Sequence, residues 1–313
     1  MAELCFMLFE GHSLFIFSPG MFLRSFSIRI FLIIYSTYSN QMINSKIESL
    51  KKDIASHESV LVAFSGGVDS GILAFLAHEV LGDKAIAVTV NLHSFPEREL
   101  KAAKKLASDI GIEHKVVQVD ELSFPQIAEN SPNRCYYCKK EILAAMNKVR
   151  KNHGLNFILE GSNSSDLASY RPGRKAIEEA GNIVYSPLME LDISKNEVRQ
   201  IAGELGLSVA DKMSSPCLAS RFPYGEALTE EGIKRVDSAE SFLFNNGLQG
   251  FRVRDHKGIA RIEVSPDDML KLISMKEEIT QYFKDIGFSY VTMDLEGFRS
   301  GSMDEVLWKQ HEI

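Results

Sequence analysis

A glycine turn between a buried strand and a helix constrains this chain more than any other feature. The apolar run 60–64 predicts a buried strand, and the residues from 71 to about 81 predict a helix. Backbone N–H groups of such a turn converge at the positive end of the helix dipole, which makes an anion site of pyrophosphate size. The turn consists of Ser65, Gly66, Gly67, Val68, Asp69 and Ser70.

The ending of this turn decides which kind of nucleotide loop it is. It lacks the Gly-Lys-Ser/Thr ending of kinase-like loops, so that class is excluded. The sequence SGGVDS resembles the loop of ATP pyrophosphatases, which transfer AMP and release pyrophosphate. We therefore predict an ATP site here, with an ordinary strand-to-helix turn as the alternative.

Length, charge and cysteine content limit what class of protein this chain can be. The chain has 313 residues and is 45% hydrophobic, which suffices for a sizeable core and two domains. A net charge of −7 argues against broad binding to nucleic acids or anionic membranes. Four cysteines are too few for a disulfide framework, so we expect a reducing, cytoplasmic location.

The first 41 residues differ from the rest of the chain. They are apolar but irregular, and they precede a second methionine, Met42. Their longest apolar run, 30–35, is too short to cross a bilayer, and Glu3 and Glu10 stand where a signal peptide is basic. We interpret 1–41 as poorly ordered or upstream of the true start, with a membrane anchor as the alternative.

From Met42 onwards, predicted strands and helices alternate, which indicates an α/β fold with a parallel sheet covered on both faces. Ligands in such folds bind at the carboxyl ends of the strands, where the loops 65–70, 91–96 and 160–166 lie. The predicted strands are 60–64, 85–90, 115–119 and 156–159, and the predicted helices are 47–56, 71–81, 97–110 and 139–151.

A smaller α+β domain is predicted after the first one, so that the domains are 42–213 and 214–313. Two alternating runs joined by His256-Lys257-Gly258 indicate a hairpin. The predicted elements of this domain are helix 229–246, strands 251–254 and 260–264, helix 266–286 and strand 290–295.

Asp166 ends a polar run after the fourth predicted strand of the sheet. Its carboxylate is suited to hold Mg²⁺ on the phosphates of a nucleotide. Aspartate after serines is also a common helix N-cap, so that role remains open.

Three cysteines stand in contexts that indicate chemistry. Cys135 and Cys138 form a C-x-x-C motif beside Arg134 and Lys139, and nearby cations lower the pKa of a thiol. The motif fits a redox pair, half a zinc site or part of an iron–sulfur site, and no second C-x-x-C completes a zinc site. Cys217 lies in an irregular, proline-containing segment, which favours a nucleophile or sulfur carrier over a packing residue.

Arginines of the second domain are candidates for binding a phosphate. Arg252 and Arg254 share one face of a strand, and Arg299 follows the last strand. The planar guanidinium group suits phosphate, although a salt-bridged sheet face is the alternative. Arg221, four residues after Cys217, is a further candidate.

Together these motifs resemble the LarE family from about Met42 to the C-terminus, and the segment around Cys217 is the most specific part. The resemblance implies a PP-loop ATPase fold and an ATP-dependent sulfurtransferase of nickel-pincer nucleotide biosynthesis. The implied substrate is pyridinium-3,5-biscarboxylic acid mononucleotide, whose carboxylates become thiocarboxylates. The motifs that carry the resemblance are 65–70, 133–139, 186–188, 216–225, 252–264 and 296–301.

The resemblance also implies roles for these residues. ATP on the 65–70 loop, with Mg²⁺, would adenylylate a substrate carboxylate, and Cys217 or a sulfide that it helps to hold would displace AMP. The substrate phosphate would be bound by Arg252, Arg254, Arg299 and Arg221.

The family divides by its source of sulfur. One type carries only the cysteine matching Cys217 and gives up its sulfur, leaving dehydroalanine. Another type adds two cysteines at the positions of Cys135 and Cys138 and resembles a [4Fe–4S] protein, in which three thiolates leave one iron open for sulfide. All three cysteines are present here, so we expect the cluster, with self-sacrifice of Cys217 as the alternative.

Other functions fit the ATP loop but explain less. A tRNA-thiolating enzyme needs a basic RNA surface, whereas residues 216–313 are net acidic. An amide-forming enzyme similar to NAD synthetase, or a non-enzymatic nucleotide sensor or iron–sulfur scaffold, leaves the cysteines or the loop unexplained. We expect no nucleic-acid or membrane partner, and the family suggests a homo-oligomer.

Overall fold

The structure is a computed structural model that describes residues 7–10, 13–16, 41–168, 172–213, 215–299 and 301–302. These residues fall into two compact units that divide between Ile47 and Glu48. In the first unit, β1 (Met7–Glu10) and β2 (Ser13–Ile16) pair antiparallel. The interpretation of residues 1–41 otherwise lies outside the described residues.

A helix, α1, covers 41–56, and strands and helices then alternate as predicted. The elements that follow are β3 (Val60–Ala63), α2 (Val68–Leu81), β4 (Ala85–Asn91), α3 (Glu97–Ile110), β5 (Glu113–Gln118), α4 (Pro125–Ala128), α5 (Arg134–Asn152), β6 (Phe157–Leu159), α6 (Gly173–Ala180), β7 (Val184–Tyr185), α7 (Pro187–Glu190) and α8 (Lys195–Glu204).

The five strands β3 to β7 form one parallel sheet in the order β5-β4-β3-β6-β7. This confirms the predicted α/β class. The chain runs from β3 to one edge of the sheet and then returns to β6 on the other side of β3. The loops after β3 and β6 therefore flank the point where the strand order reverses, and ligands bind at such a point.

Local sequence explains most of these elements. The β3 residues Val60, Leu61 and Val62 are fully buried, as expected for the central strand of a covered sheet. Helix α3 ends at Gly111, whose φ of 85° lets its N–H bond the carbonyl of Ala107. Helix α5 begins at Arg134 rather than at the predicted residue 139, so the C-x-x-C motif lies in its first turn.

A second, three-stranded sheet lies in the C-terminal region. Here β8 and β9 form the predicted antiparallel hairpin, whereas β10 pairs parallel with β9. The predicted helix 266–286 is interrupted at Met275, whose ψ of 11° departs from helical geometry, so two helices form instead of one. The elements are α9 (Glu230–Asn245), β8 (Arg252–His256), β9 (Ile259–Glu263), α10 (Met269–Ser274), α11 (Lys276–Asp285) and β10 (Tyr290–Met293).

A core of its own supports this region, with Val236, Leu243, Val253 and Phe283 completely buried. Both sheets nevertheless belong to the one compact unit that begins at Glu48. The division of the chain at residues 213 and 214 stays a prediction. Among the described residues, no helix is both long and apolar enough to cross a membrane.

Candidate active site

The turn after β3 has the geometry of an anion site. Gly66 has a φ of +70°, and a Cβ atom there would lie 2.7 Å from the Cα of Ala103. Gly67 is the N-cap of α2 and has no side chain to bind the first N–H groups of that helix. Those N–H groups, with the positive end of the helix dipole, therefore suit a phosphate.

Two serine hydroxyls brace this turn from within. Ser70 Oγ donates to the carbonyl of Gly67 and accepts from the N–H of Ser65, both at 3.2 Å. Ser65 Oγ in turn accepts from the N–H of Gly67 at 3.3 Å. The buried Val68 anchors the start of α2. Nucleotide binding by these predicted residues stays a prediction, which the geometry supports.

The loop after β6 meets the phosphate turn at Asp69. Asn163 Nδ2 donates to Asp69 Oδ1 at 3.0 Å, and Lys195 Nζ pairs with Asp69 Oδ2. A Cβ atom on Gly161 would lie 3.1 Å from the Cβ of Asp69, so the two loops are in close contact. Asn163 and Lys195 were not predicted as site residues, although Asn163 lies in a polar run after a strand and Lys195 lies at the start of a helix.

Asp166 is buried in the same loop. Its Oδ2 accepts from the N–H of Asn163 at 3.1 Å, which is the contact of a local turn. Asp166 lies within the short helical turn Ser164–Ala168, and Asn163 accepts from the N–H of Ser165 at the start of that turn, so the N-cap alternative is wrong for Asp166 and fits Asn163 instead. The role of Asp166 as a Mg²⁺ ligand stays a prediction.

Glu160 connects the loop after β6 to the helix that carries the C-x-x-C motif. The carboxylate is buried, and it accepts from the N–H of Ser162 at 3.1 Å and from the hydroxyl of Ser186. Lys139 of α5 lies 3.8 Å from its other oxygen. The contact between Lys139 and Glu160 therefore links α5, which carries the C-x-x-C motif, to the loop after β6.

The three cysteines predicted to act together are all reduced thiols. Cys135 and Cys217 are exposed, and Cys138 is half-buried. Burial raises the pKa of the Cys138 thiol, and negative charge on Cys217, Cys135 and Glu121 raises this pKa further. The prediction of a lowered pKa is therefore wrong for Cys138, because burial outweighs the charge of Lys139. Among the described residues, the three cysteines do not form a set whose sulfur atoms all lie within 4.8 Å of one another.

Backbone contacts tie Cys217 to the loop after β4. The N–H of Leu218 donates to the carbonyl of Ser94 at 2.8 Å. That loop is held in turn by the buried Glu121, which accepts from the N–H groups of His93 and Ser94 at 2.9 and 2.7 Å. Because β3 and β4 are neighbouring parallel strands, the loops that follow them lie at the same end of the sheet. Cys217 is therefore attached to the end of the sheet that carries the phosphate turn.

Arg221 is completely buried beneath the Cys217 segment. Its Nε and Nη2 donate to the two carboxylate oxygens of Glu240 at 2.8 and 3.0 Å. Its Nη1 donates to the carbonyls of Pro216 and Cys217 at 3.0 and 3.2 Å. These contacts favour a positioning role, so direct binding of a substrate phosphate by Arg221 stays a prediction that they do not support.

A cavity of about 250 Å³ brings the other three predicted arginines together. Cys135 of α5 and Pro216, which directly precedes Cys217, line the same cavity. The arginines that line it are Arg252, Arg254 and Arg299. Such a cluster of guanidinium groups suits an anionic ligand.

The three arginines differ in their surroundings. Arg252 lies 4.9 Å above the ring of Phe298, and burial and the nearby charge of Arg221 lower its pKa to about 10, so it stays charged at neutral pH. Arg254 is buried and makes a two-pronged ion pair with Glu263, at 2.9 and 2.8 Å. Arg299 is more exposed, and its Nη2 pairs with Glu296 at 2.6 Å.

A compact group of possible metal ligands was not predicted from the sequence. Among the described residues, His93, Asp120 and Glu121 form the one set of three such side chains whose ligand atoms all lie within 4.8 Å of one another. Both oxygens of Glu121 accept backbone N–H groups, so its contacts are explained without a metal.

The chain is similar in sequence to several known proteins. Residues 47–133 match the asparagine synthase family. The chain is 40% identical over 253 residues to the pyridinium-3,5-bisthiocarboxylic acid mononucleotide synthase of Lactiplantibacillus plantarum, covering 80% of this chain and 91% of that protein. It is 43% identical over 270 residues to an uncharacterised protein of Synechocystis sp., covering 86% of this chain and 100% of that protein. An uncharacterised protein of Methanocaldococcus jannaschii is 32% identical over 255 residues, covering 82% and 96%.

Proposed function

The chain belongs to the LarE family, and on that premise we propose that it is an ATP-dependent sulfurtransferase of nickel-pincer nucleotide biosynthesis. Its substrate would be pyridinium-3,5-biscarboxylic acid mononucleotide, and its product the bisthiocarboxylic acid named in the relative from L. plantarum. The observation that carries the proposal is the cavity that joins an arginine cluster to Cys135 and to the Cys217 segment.

The first step would occur at the phosphate turn. A substrate carboxylate oxygen attacks the α-phosphorus of ATP, a P–O bond forms, and pyrophosphate leaves with the electrons of the broken bond. The N–H groups at the start of α2 and the ammonium of Lys195 would stabilise the charge on pyrophosphate. AMP on the carboxylate then gives the second step a good leaving group.

The second step would occur at the arginine-lined cavity. Arg252, Arg254 and Arg299 would hold the phosphate of the mononucleotide, which leaves its ring carboxylates free to react. A sulfur nucleophile displaces AMP, a C–S bond forms, and the C–O bond to AMP breaks. Cys217 is suited to this step because Leu218 is bound to the loop after β4 and the carbonyl of Ser220 is bound to Arg254 of the cavity.

The cysteines fit a [4Fe–4S] cluster with one open iron. Two of the three reduced thiols are exposed, charge on these two raises the pKa of the third, and each can ionise on binding iron. When bound, the cluster would supply sulfide from its open iron. The proposed ligands are Cys135, Cys138 and Cys217.

The cluster proposal is tested by iron content after anaerobic purification. We expect iron and the visible absorbance of a cluster in the wild-type chain, and loss of both in serine variants of Cys135, Cys138 and Cys217. Cys5→Ser, which removes the remaining cysteine of the chain, is the matched control and should keep its iron. Iron-free wild-type protein would instead assign the sulfur to Cys217 itself.

The activity is tested with ATP, the pyridinium substrate and sulfide under anaerobic conditions. Pyrophosphate should appear only when the pyridinium substrate is present, and a thiocarboxylate product should follow. Repeated turnover at constant polypeptide mass supports the cluster, whereas one turnover with loss of the mass of H₂S supports self-sacrifice of Cys217. Pyrophosphate release that depends on tRNA would contradict the proposal. A cytoplasmic location and a homo-oligomeric state stay predictions for fractionation and light scattering to test.

A further inference from the structure

The first turn of α3 carries two adjacent charged residues, Arg98 and Glu99, that contact different parts of the site. Glu99 Oε2 lies 2.7 Å from Lys212 Nζ, and Lys212 Nζ donates to the carbonyl of Gly66 at 2.9 Å. One of the two residues is therefore connected, through a single lysine, to the phosphate turn.

Arg98 contacts the part of the site that contains Cys217. Its Nη2 lies 3.3 Å from Glu240 Oε2 and 3.4 Å from the hydroxyl of Ser215. Glu240 holds Arg221, whose Nη1 donates to the carbonyl of Cys217 at 3.2 Å. Arg98 is thus connected to Cys217 through two ion pairs, its own with Glu240 and that of Glu240 with Arg221.

Burial and opposite charge hold Arg221 and Glu240 against each other. Both side chains are completely buried, and Glu240 also accepts from the N–H of Val253 at 3.1 Å. Burial alone would raise the pKa of Glu240, but the positive charges of Arg221 and Arg98 outweigh burial and lower it. The carboxylate therefore stays ionised, and a shift of either arginine is costly where water is excluded.

We propose that Arg98 and Glu99 are positioning residues that couple nucleotide binding at the phosphate turn to the placement of Cys217. A phosphate on the turn fixes the peptide units around Gly66, and Lys212 follows the Gly66 carbonyl. Lys212 and Cys217 are five residues apart in the chain, and adjacent residues of one helix turn are connected to them, Glu99 to Lys212 directly and Arg98 to Cys217 through Glu240 and Arg221. The significance for sulfur transfer rests on the proposed function.

The test is the rate at which iodoacetamide alkylates Cys217 in the iron-free full chain, where no cluster covers the sulfur, followed by peptide mass spectrometry. We expect a non-hydrolysable ATP analogue with Mg²⁺ to change this rate about fivefold or more in the wild type. Arg98→Met and Glu99→Gln should reduce the response to about twofold or less. Lys105→Met is the matched control, because Lys105 lies on the same helix in an exposed pair with Asp109 and should leave the wild-type response unchanged.

The affinity of each variant for the ATP analogue shows whether it has lost only the coupling or has a damaged fold. Arg98→Met should bind the analogue within about threefold of the wild type, since Arg221 still neutralises Glu240. If Arg98→Met does not fold, Arg98→Lys replaces it, because lysine keeps the positive charge but lacks the planar guanidinium whose Nη2 contacts both Glu240 and Ser215. A wild-type response in the variant that binds nucleotide, or no response in the wild type, overturns the inference.

A second readout keeps this inference distinct from the proposed function. In the active enzyme, Arg98→Met should release about tenfold more pyrophosphate per thiocarboxylate formed than the wild type, because adenylylation outpaces sulfur transfer. If the wild type shows the alkylation response but no sulfurtransferase activity, the proposed function fails and the coupling stands. Sulfurtransferase activity with an unchanged alkylation response in Arg98→Met overturns the coupling alone.

Discussion

The phosphate turn and the arginine-lined cavity are both suited to anions, but they are built in different ways. The turn uses backbone N–H groups, a helix dipole and a glycine that no other residue can replace without a clash. The cavity uses charged side chains that are far apart in the chain, and two of these, Arg254 and Arg299, are paired with carboxylates. The first site is local in sequence, whereas the second exists only after the C-terminal sheet has formed.

The difference teaches that arginines around one cavity need not share one role. Arg254 is buried in an ion pair that supports the hairpin, while Arg252 lies against an aromatic ring and remains charged. Backbone sites, in contrast, lose function mainly through a change of conformation. Substitutions that separate stability from ligand binding therefore test the comparison.

The largest effect on stability is expected from Arg254→Met. This change leaves the fully buried Glu263 with the 3.2 Å contacts of the half-exposed Arg261 and of the Ser302 hydroxyl, both on Oε1, so the free energy of unfolding should fall by about 3–5 kcal/mol. Chemical denaturation measures this loss. Arg252→Met is the matched control, and it should cost about 1 kcal/mol or less in stability while weakening substrate binding. Equal losses of stability in the two variants would remove the distinction between these arginines.

The next effect tests the backbone character of the phosphate turn. Gly66→Ala forces a left-handed φ on a residue with a Cβ atom and places that atom 2.7 Å from Ala103 Cα, so we expect a loss of about 2 kcal/mol or more in stability. ATP binding, measured by calorimetry, should fall with it. Gly67→Ala should be milder, because its φ is −86° and the nearest atom is the movable Ser65 Oγ at 3.3 Å. A nearly normal Gly66→Ala would show that the turn tolerates a side chain.

A smaller effect is expected from Lys195→Met. Removing this cation leaves Asp69 beside the phosphates with only the amide of Asn163, so charge repulsion should raise the KM for ATP about three- to tenfold. Steady-state kinetics measure this change. Lys101→Met removes an exposed ion pair with Glu97 on α3 and should leave the KM unchanged. An unaltered KM in Lys195→Met would mean that Lys195 only braces the loops.

The smallest effect concerns pH. Burial, together with the charge of Lys104, lowers the pKa of His114, and its Nε2 lies 2.8 Å from Thr89 Oγ1, which itself donates to the carbonyl of Phe64. The unfolded chain therefore takes up a proton first as the pH falls below ~6.5, and stability drops until the folded pKa is passed. His114→Gln should flatten this decline by about 1 kcal/mol or less, measured by thermal unfolding across pH. If stability still declines in the variant as the pH falls, another titratable group causes the decline.

The elements that follow from local patterns were predictable from the sequence. Apolar runs located β3 and β4, and Gly111 marked the end of α3 within one residue. Strand pairing is decided by distant residues, so nothing in the segment 290–295 indicated that β10 would lie parallel to β9. The short β7 was missed for a similar reason, since its two residues pair only with β6.

The candidate site shows the same limit. The glycines and cysteines were recognisable because each residue type has a restricted use in proteins. The partners Glu240 and Glu263 were not recognisable as buried, because a glutamate on a helix or strand is usually exposed. The raised pKa of Cys138 depends on burial in the folded chain, which the neighbouring lysines in the sequence did not reveal.

The central position of β3 has a consequence for how the protein matures on the ribosome. Val60 pairs with Ala85, which is close in the chain, but also with Phe157, which is far along it. Closing so long a loop is entropically costly and slow, so the half of the sheet with β3 and β4 should assemble early. Asn163 and Lys195 reach Asp69 only after later translation, and we expect a nascent chain to acquire tight nucleotide affinity at that stage.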